Sequence, residues 1–395
     1  MKVLLVVALL GLFACGGSGP CEQPPDVSDL DFSSARKKLP KLSSLCVLDP
    51  PQILGSGKLQ PKNGTLPYDL TTPLFSDYAE KFRTLWIPPG SKIQYRDPEP
   101  FDFPVGTIIT KTFAFPADLR TPTQNVKLVE TRVLMRTNGG WLTLPYVWKA
   151  DESDAAIDIL GSLYTEPFVD ALGATRTPNY LIPSANQCLL CHEGTDPAHP
   201  IGPKARLLNR TYPYETGEVN QIDHLVSLDM LQDAPASSAA PIIPPYSDPT
   251  AGPLGDRARG WLETNCAHCH SETGGARTTG LYLAIAETDP FRMGICKPPV
   301  AAGSGTGGRK YDIIPGNPEA SIIPFRLEAT NASMMMPPVG RSLVHSDSVA
   351  VIKEWIASLP GTCNSVRRCF LTSRIASCPR AGNRHVKRRA NSSPN

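Results

Sequence analysis

The sequence has little net charge and no long apolar run. Its 395 residues include 39 lysines and arginines against 37 aspartates and glutamates, a formal net charge of +2 at pH 7. This balance lacks the basic excess that nucleic-acid-binding proteins carry, so we predict no nucleic-acid partner. The apolar stretch near the N-terminus, residues 3–13, has eleven positions, too few for a membrane-spanning helix, which needs about 20.

Motifs for phosphate binding and for nucleophilic chemistry are also missing. Residues 302–308 are rich in glycine but lack the Gly-Lys-Ser/Thr ending of a phosphate-binding loop.

With 41 prolines and 31 glycines, the chain is expected to form many turns and loops rather than a helical bundle. Asp77, Glu80, Lys81 and Arg83 are interpreted as surface ion pairs beside a strand, not as catalytic groups.

The N-terminus has the features of an export signal. Lys2 precedes the apolar stretch, and the segment ends in Leu12-Phe13-Ala14-Cys15, which resembles the bacterial lipoprotein signal. We therefore predict a signal peptide over residues 1–15 and a lipid anchor at Cys15. The expected location is exported and periplasm-facing, on a membrane of a Gram-negative-type envelope. A plain signal peptide that contains Cys15 is the alternative.

The C-terminus differs in charge from the rest of the chain. Residues 364–395 hold eight lysines and arginines and no acidic residue. Subtracting them leaves 31 basic and 37 acidic residues in 1–363, so the body of the protein is mildly acidic. We predict that this basic tail is a disordered extension or a reading-frame artefact.

Two Cys-x-x-Cys-His motifs carry the strongest functional signal. They read Cys188-Leu-Leu-Cys191-His192 and Cys266-Ala-His-Cys269-His270. Two thiols at this spacing reach the two vinyl groups of one porphyrin, and the adjacent histidine lies under the iron as an axial ligand. Chance alone gives about 0.005 such motifs in a chain of this composition. We predict two covalently bound haem c groups; a zinc knuckle or a redox dithiol is the alternative.

Each haem needs a second axial ligand. For the first haem, His199 is too close to His192 in sequence to reach the other side of the ring. His224 and Met230 lie on different faces of one predicted helix, so at most one of them points at the iron; we favour Met230 slightly. Pro203 resembles the proline of class I cytochromes whose carbonyl accepts the ring proton of the axial histidine.

The second haem has methionine candidates. Met334, Met335 and Met336 precede Pro337, and a methionine before a proline in a loop suits an axial thioether ligand. We favour Met336, with Met335 and Met334 as alternatives.

The cysteine count supports disulfides in an oxidising compartment. Of eleven cysteines, one is assigned to lipid and four to haem. Domain membership favours the pairs Cys21–Cys46 and Cys296–Cys363 among the 15 possible connectivities of the other six. Cys369 and Cys378 stay unassigned.

The expected fold is an α+β multidomain protein, with a β-sandwich-like domain followed by two mainly α-helical, cytochrome c-like haem segments. Three β-branched and aromatic runs, 103–113, 127–136 and 141–148, predict strands, and Asn138-Gly139-Gly140 predicts a hairpin turn. Apolar periodicity predicts helices over 215–231 and 347–359, and a further helix is predicted over 256–262, running into Cys266. The predicted divisions are a signal peptide (1–15), tether (16–62), β domain (63–178), first haem segment (179–232), proline-rich linker (233–253), second haem domain (254–363) and tail (364–395).

From Leu66 to Cys363 the chain resembles a family of exported bacterial dihaem c-type cytochromes with an N-terminal β domain. The stretches that carry the resemblance are Pro73-Leu-Phe-Ser-Asp-Tyr-Ala79, Glu130-Thr-Arg132, Asn186-Gln-Cys-Leu-Leu-Cys-His192, Pro200-Ile-Gly-Pro-Lys-Ala-Arg206, Asn265-Cys-Ala-His-Cys-His270, Gly294-Ile-Cys-Lys-Pro-Pro-Val-Ala-Ala-Gly303, Ile314-Pro-Gly-Asn-Pro318 and Met336-Pro337. The resemblance implies haem c and electron transfer between redox protein partners. A dihaem peroxidase, or another haem-dependent oxidoreductase with its substrate near the β domain, is the alternative.

Overall fold

The computed structural model describes residues 21–49, 60–192, 198–300 and 302–363. The strands of this part of the chain are β1 Leu66–Tyr68, β2 Glu80–Trp86, β3 Ile93–Gln94, β4 Ile108–Pro116, β5 Val126–Thr137, β6 Gly140–Trp148, β7 Ala155–Ile157, β8 Ser162–Tyr164, β9 Phe168–Val169, β10 Thr175–Arg176, β11 Tyr180–Ile182, β12 Thr211–Tyr214, β13 Gly217–Asn220 and β14 Leu231–Gln232. The helices are α1 Phe32–Lys38, α2 Ala185–His192, α3 Ala205–Leu208, α4 Gln221–Ser227, α5 Leu254–Asn265, α6 Ile322–Glu328 and α7 Ser346–Ser358.

One antiparallel sheet dominates the architecture. Its strand order is β1-β2-β4-β5-β6-β7, and the remaining strands form two-stranded pairs. Strands β5 and β6 form the predicted hairpin, with Thr137 opposite Gly140 across the turn. The sequence runs that predicted β4, β5 and β6 are therefore confirmed as strands, although β4 starts at Ile108 rather than at Phe103.

The two faces of this sheet pack against different parts of the chain. Val133 and Met135 of β5 belong to a buried cluster with Leu45 and Val47, which lie in the region predicted to be a tether. Leu134, between them, points to the other side and packs against a second cluster that includes parts of residues 201–243. Because side chains alternate along a strand, the even-numbered residues of this part of β5 face the first Cys-x-x-Cys-His segment.

The predicted fold class is wrong. The chain is mostly sheet and irregular structure, and two mainly helical cytochrome c-like segments are not seen in its described residues. In the first segment the predicted helix over 215–231 shrinks to α4, because β13 precedes it and β14 follows it. Asn220 starts this helix by accepting a hydrogen bond from the Ile222 amide.

The region after residue 253 contains longer helices separated by irregular chain. Helix α5 runs up to the second motif and α7 closes the region, so both predicted helices are confirmed. These two helices contact one another through a buried cluster that includes Trp261, Leu262, Ile352 and Trp355. Between α5 and α6 the chain forms turns and short 3₁₀ segments. No helix of the described residues is long and apolar enough to cross a bilayer.

A buried aspartate ties the sheet region to the C-terminal region. Asp77 has no exposed surface and accepts hydrogen bonds from the Ser342 amide and hydroxyl and from the Leu343 amide. The interpretation of Asp77 as one half of a surface ion pair is therefore wrong. Its carboxylate instead anchors the loop that follows the predicted methionine ligand.

His345 lies in the same contact between regions. Its ring stacks on Phe75 at 4.2 Å between centroids, and its Nε2 is 2.9 Å from the Tyr246 hydroxyl. Burial, with a smaller contribution from Lys81, lowers the pKa of His345 from 6.5 to about 3. The folded protein therefore holds this imidazole in its neutral form.

Acid is expected to destabilise the fold through His345. The unfolded chain binds a proton here below pH 6.5, whereas the folded chain does not until about pH 3. The histidine therefore contributes stability above pH 6.5 that is lost as the pH falls. Between pH 7 and pH 5 the loss amounts to about 2 kcal/mol.

The check is chemical denaturation of wild type and His345→Phe at both pH values. Phenylalanine keeps a ring to stack on Phe75 but cannot take up a proton. From pH 7 to pH 5 the free energy of unfolding of wild type should fall by about 2 kcal/mol more than that of His345→Phe. A difference that does not change with pH would contradict the assignment.

Candidate functional site

The first motif lies on α2. Cys188 and Cys191 are three residues apart on this helix and His192 ends it, so all three side chains project from neighbouring positions. Both cysteines are free thiols, and Cys188 is buried.

A hydrogen bond fixes the imidazole of His192. Its Nδ1 lies 2.8 Å from the carbonyl oxygen of His199. This contact assigns the Nδ1 proton to that bond, so Nε2 is the nitrogen that could bind a metal. The prediction that Pro203 accepts this proton is wrong, since the Pro203 carbonyl accepts the Phe101 amide instead. Burial lowers the pKa of His192 to about 4, which keeps the ring neutral, the form that binds a metal.

The three functional side chains of the first motif share one cavity. It is open to solvent, measures about 1290 Å³, and is lined by Cys188, Cys191 and His192. The opposite wall comes from the sheet, which contributes Arg83 and Lys111. The first motif therefore faces a cleft between α2 and the sheet.

Three cations form a row across that sheet wall. Arg83 of β2 pairs with Lys111 of β4, and Lys111 pairs with Arg132 of β5, so the three side chains are direct cross-strand neighbours on one face. All three line the first cavity. Arg83 is 4% exposed, so its interpretation as part of a surface ion pair is wrong. We call these three residues the cation row.

The second motif follows the end of α5. Cys266 is the residue just past this helix, and its carbonyl accepts the amides of Cys269 and His270. The resulting turn brings Cys266, Cys269 and His270 to one wall of a second cavity of about 1310 Å³, also open to solvent. Burial lowers the pKa of His270 to about 4, so this imidazole is also neutral.

Met336 lines the second cavity together with His270. The backbone of Met336 is held on both sides, because its amide donates to the Arg326 carbonyl and its carbonyl accepts Arg341 Nε. Neither of the alternative ligands Met334 and Met335 is among the lining residues of this cavity. The structure thus brings the favoured methionine and the second motif together.

The candidates for the second ligand of the first haem are not brought to the first cavity. Met230 packs against the apolar cluster around Ile222 and Leu225. His224 is 8% exposed and stacks on Tyr214 at 3.8 Å between ring centroids. Neither residue lines the cavity that contains His192.

The two motifs converge in space although 78 residues separate their first cysteines in the sequence. The sulfurs of Cys191 and Cys269 and a ring nitrogen of His268 all lie within 4.8 Å of one another. The Cys269 thiol also points at the Leu190 carbonyl, 3.8 Å away. The two cavities are therefore neighbours, joined at the second cysteine of each motif.

Buried polar contacts hold the converged segments in place. Lys204 and Glu263 form an ion pair at 2.6 Å between the first segment and α5, with the carboxylate side chain 4% exposed. Asn265, just before the second motif, accepts the Phe75 amide through its side-chain oxygen at 2.8 Å. These contacts fix the position of the second motif against the first segment and the sheet region.

The residues fit covalent haem better than a zinc ion. Each cavity has its own pair of free thiols and its own neutral histidine. Among the described residues, the group Cys191, His268 and Cys269 offers three metal donors, whereas a structural zinc site needs four. Thioether bonds at Cys191 and Cys269 would also remove two of those three donors.

No family model, curated protein or solved structure matches this chain. The functional argument therefore depends on the residues and on their geometry.

The predicted disulfides are confirmed. Cys21 and Cys46 have Cα atoms 5.4 Å apart, and those of Cys296 and Cys363 are 5.1 Å apart. The predicted lipid anchor at Cys15 lies outside the described residues, as do the signal peptide, parts of the tether, and the tail with Cys369 and Cys378.

The sequence analysis missed the cation row. Lys111 and Arg132 lie in runs that the sequence predicted to be strands. Their alignment with Arg83 depends on strand register, which a single sequence does not give.

Proposed function

We propose that the protein is a dihaem c-type cytochrome that relays single electrons between an oxidoreductase and an acceptor. One observation carries the proposal: two Cys-x-x-Cys-His motifs, each facing its own cavity, meet at Cys191 and Cys269 within 4.8 Å. Two cysteine pairs with unrelated roles need not lie next to one another. Two redox centres that exchange electrons must lie close together, because electron exchange requires short separations.

The side chains have separable roles in this proposal. Cys188, Cys191, Cys266 and Cys269 would form thioethers, and His192 and His270 would bind iron. Haem iron supplies reversible one-electron chemistry, and its axial ligands set the potential.

The protein itself orients these ligands. The His199 carbonyl fixes the ring of His192, and Arg341 fixes the loop that presents Met336. Arg341 is 6% exposed, and its guanidinium also donates to the carbonyls of Arg326 and Ala329. The methionine would therefore be presented by a loop with a fixed backbone.

A second candidate function has one observation in its favour. Among the described residues that line the first cavity there is no methionine, and His192 and His268 are its histidines. His268 also lies beside the sulfur of Cys191, at the edge of the site. A first iron without a second protein ligand would favour a haem-dependent oxidoreductase, such as a peroxidase, with its substrate bound against the sheet.

The proposal predicts two haem c groups per chain in a pyridine haemochrome assay. Cys191→Ala should impair attachment at the first motif and Cys269→Ala at the second, so each variant should hold about one haem. The matched control is the double variant Cys21→Ala, Cys46→Ala, which removes two cysteines but should keep both haems. Haem-free wild-type protein from a host that matures c-type cytochromes would overturn the proposal.

Carbon monoxide separates the two candidates. If both irons have two protein ligands, the reduced protein should bind negligible carbon monoxide, in agreement with an electron relay. Binding of about one equivalent per chain, together with turnover of peroxide, would select the oxidoreductase instead.

A further inference from the structure

The cation row carries more positive charge than nearby carboxylates neutralise. Glu130 binds Arg132 through both of its oxygens, at 2.6 and 2.9 Å. Asp69 serves two guanidiniums at once, Arg83 at 2.7 Å and Arg210 at 2.9 Å.

Lys111, the middle residue of the row, lacks such a partner. Among the described residues its ammonium has no carboxylate in ion-pair contact and lies over the Phe113 ring, 4.7 Å from the centroid. The three cations of the row therefore face two carboxylates, Asp69 and Glu130, and Asp69 is shared with Arg210, which does not line the cavity. The row thus keeps positive charge that these carboxylates do not neutralise.

Burial makes this excess costly. Arg83 is 4% exposed, and its Nη2 has no hydrogen-bond partner among the described residues. Like charges directly opposite one another in a sheet are destabilising, and a buried unpaired cation more so. Arg83 and Arg132 each have a carboxylate partner, so Lys111 is the member of the row that an anion in the cavity would neutralise. Burial, together with Arg83 and Arg132, lowers the pKa of Lys111 well below its usual value, and an anion beside the ammonium would oppose this shift.

The shape of the row suits carboxylates. Neighbouring strands lie about 4.8 Å apart, so the three side chains span roughly 10 Å of the cavity wall. Arginine binds carboxylates through two parallel hydrogen bonds, and a lysine between two arginines can share either ligand. The same cavity contains Cys188 and His192, so an anion there would lie within the first haem site.

We propose that the cation row is a carboxylate-binding site whose ligand is the propionate pair of the haem attached to Cys188 and Cys191. This inference rests on the proposed function. The porphyrin carries two carboxylates, and these are the groups that cations on the cavity wall would bind. A free dicarboxylate, bound as substrate, is the other source of the same chemistry.

The test is a redox titration of wild type, Lys111→Gln and Lys111→Arg. Loss of a positive charge beside the first haem favours its oxidised state. At a fixed potential the ratio of reduced to oxidised first haem should therefore fall about tenfold in Lys111→Gln. For one electron this is a shift of about 59 mV to lower potential. Lys111→Arg should restore the wild-type value. Lys127→Gln changes the net charge equally at a position of β5 that does not line the first cavity and whose side chain is 40% exposed, so it should have no effect.

Added succinate identifies the source of the carboxylates. If the haem occupies the row, succinate should not bind to the holoprotein measurably. If a free dicarboxylate is the ligand, succinate should bind wild type by calorimetry but not Lys111→Gln, and the propionate assignment is overturned. Unchanged potential in Lys111→Gln and no succinate binding would overturn the carboxylate site itself. A haem count below two in wild type would instead count against the proposed function.

Discussion

Replacing Glu130 by alanine should lower the free energy of unfolding by about 4 kcal/mol, because it leaves a largely buried guanidinium without its counterion. Glu130 has no exposed surface. It accepts two hydrogen bonds from Arg132 and a further one from the Tyr180 hydroxyl. Removing one member of such a group strands the others in a medium that solvates charge poorly.

Denaturation in urea, followed by circular dichroism, measures this loss. The matched control is Asp118→Ala, which breaks an ion pair with Arg120. In this pair the Arg120 side chain is 55% exposed and the Asp118 side chain is 27% exposed. A surface pair of this kind contributes less than about 1 kcal/mol, so the control should stay near wild type. If Glu130→Ala also stays within about 1 kcal/mol of wild type, water reaches Arg132 and the network is not stabilising.

The elements that sequence predicted well are those whose signal is local. Strands β5 and β6 are joined at Asn138-Gly139, which is a turn signal, and α7 has its own apolar periodicity. The prediction of one helix over 215–231 is wrong, because the structure has strand β13, helix α4 and strand β14 there. A short apolar period is compatible with either arrangement. Tertiary pairing decided between them.

The site was predictable only within each motif. The cysteine and histidine identities follow from spacing, and Met336 follows from its place before Pro337. Long-range pairing, in contrast, brings Cys191 next to Cys269 and aligns Arg83, Lys111 and Arg132. No local pattern encodes either arrangement. For a related reason, the sequence did not locate a second ligand for the proposed first haem. Met230 and His224 follow the first motif in sequence, but in the structure Met230 packs against an apolar cluster and His224 stacks on Tyr214.

The sheet explains how one chain can position both motifs. One of its faces is covered by the N-terminal segment, and the Cys21–Cys46 disulfide constrains that segment. The other face supplies the cation row to the first cavity. Phe75 and Asp77 lie just before β2, where Phe75 binds Asn265 and Asp77 binds Ser342. These contacts hold the second motif and the methionine loop in fixed positions relative to the same sheet. The β region therefore acts as a scaffold for both sites.

If the proposed second haem is bound, Met336→Leu should change both its spectrum and its potential. Leucine keeps the volume of the side chain but has no sulfur to bind iron. The oxidised wild-type protein should show the weak absorption band at the red end of the visible spectrum that accompanies methionine ligation, and the variant should lose it. Its second haem should also fall in potential, by a sizeable part of the roughly 0.8 V range that axial ligands set.

The neighbouring methionines provide the controls for this variant. Met335 is 8% exposed and Met334 is half-buried, and neither lines the cavity of His270, so Met335→Leu and Met334→Leu should keep the band. Arg341→Lys tests the positioning of the loop, because lysine retains the charge but cannot make all of the contacts of the guanidinium to the Met336, Arg326 and Ala329 carbonyls. It should weaken the band without changing the haem count. If the band survives in Met336→Leu and disappears in Met334→Leu, then Met334 is the ligand and the loop rearranges when haem is attached.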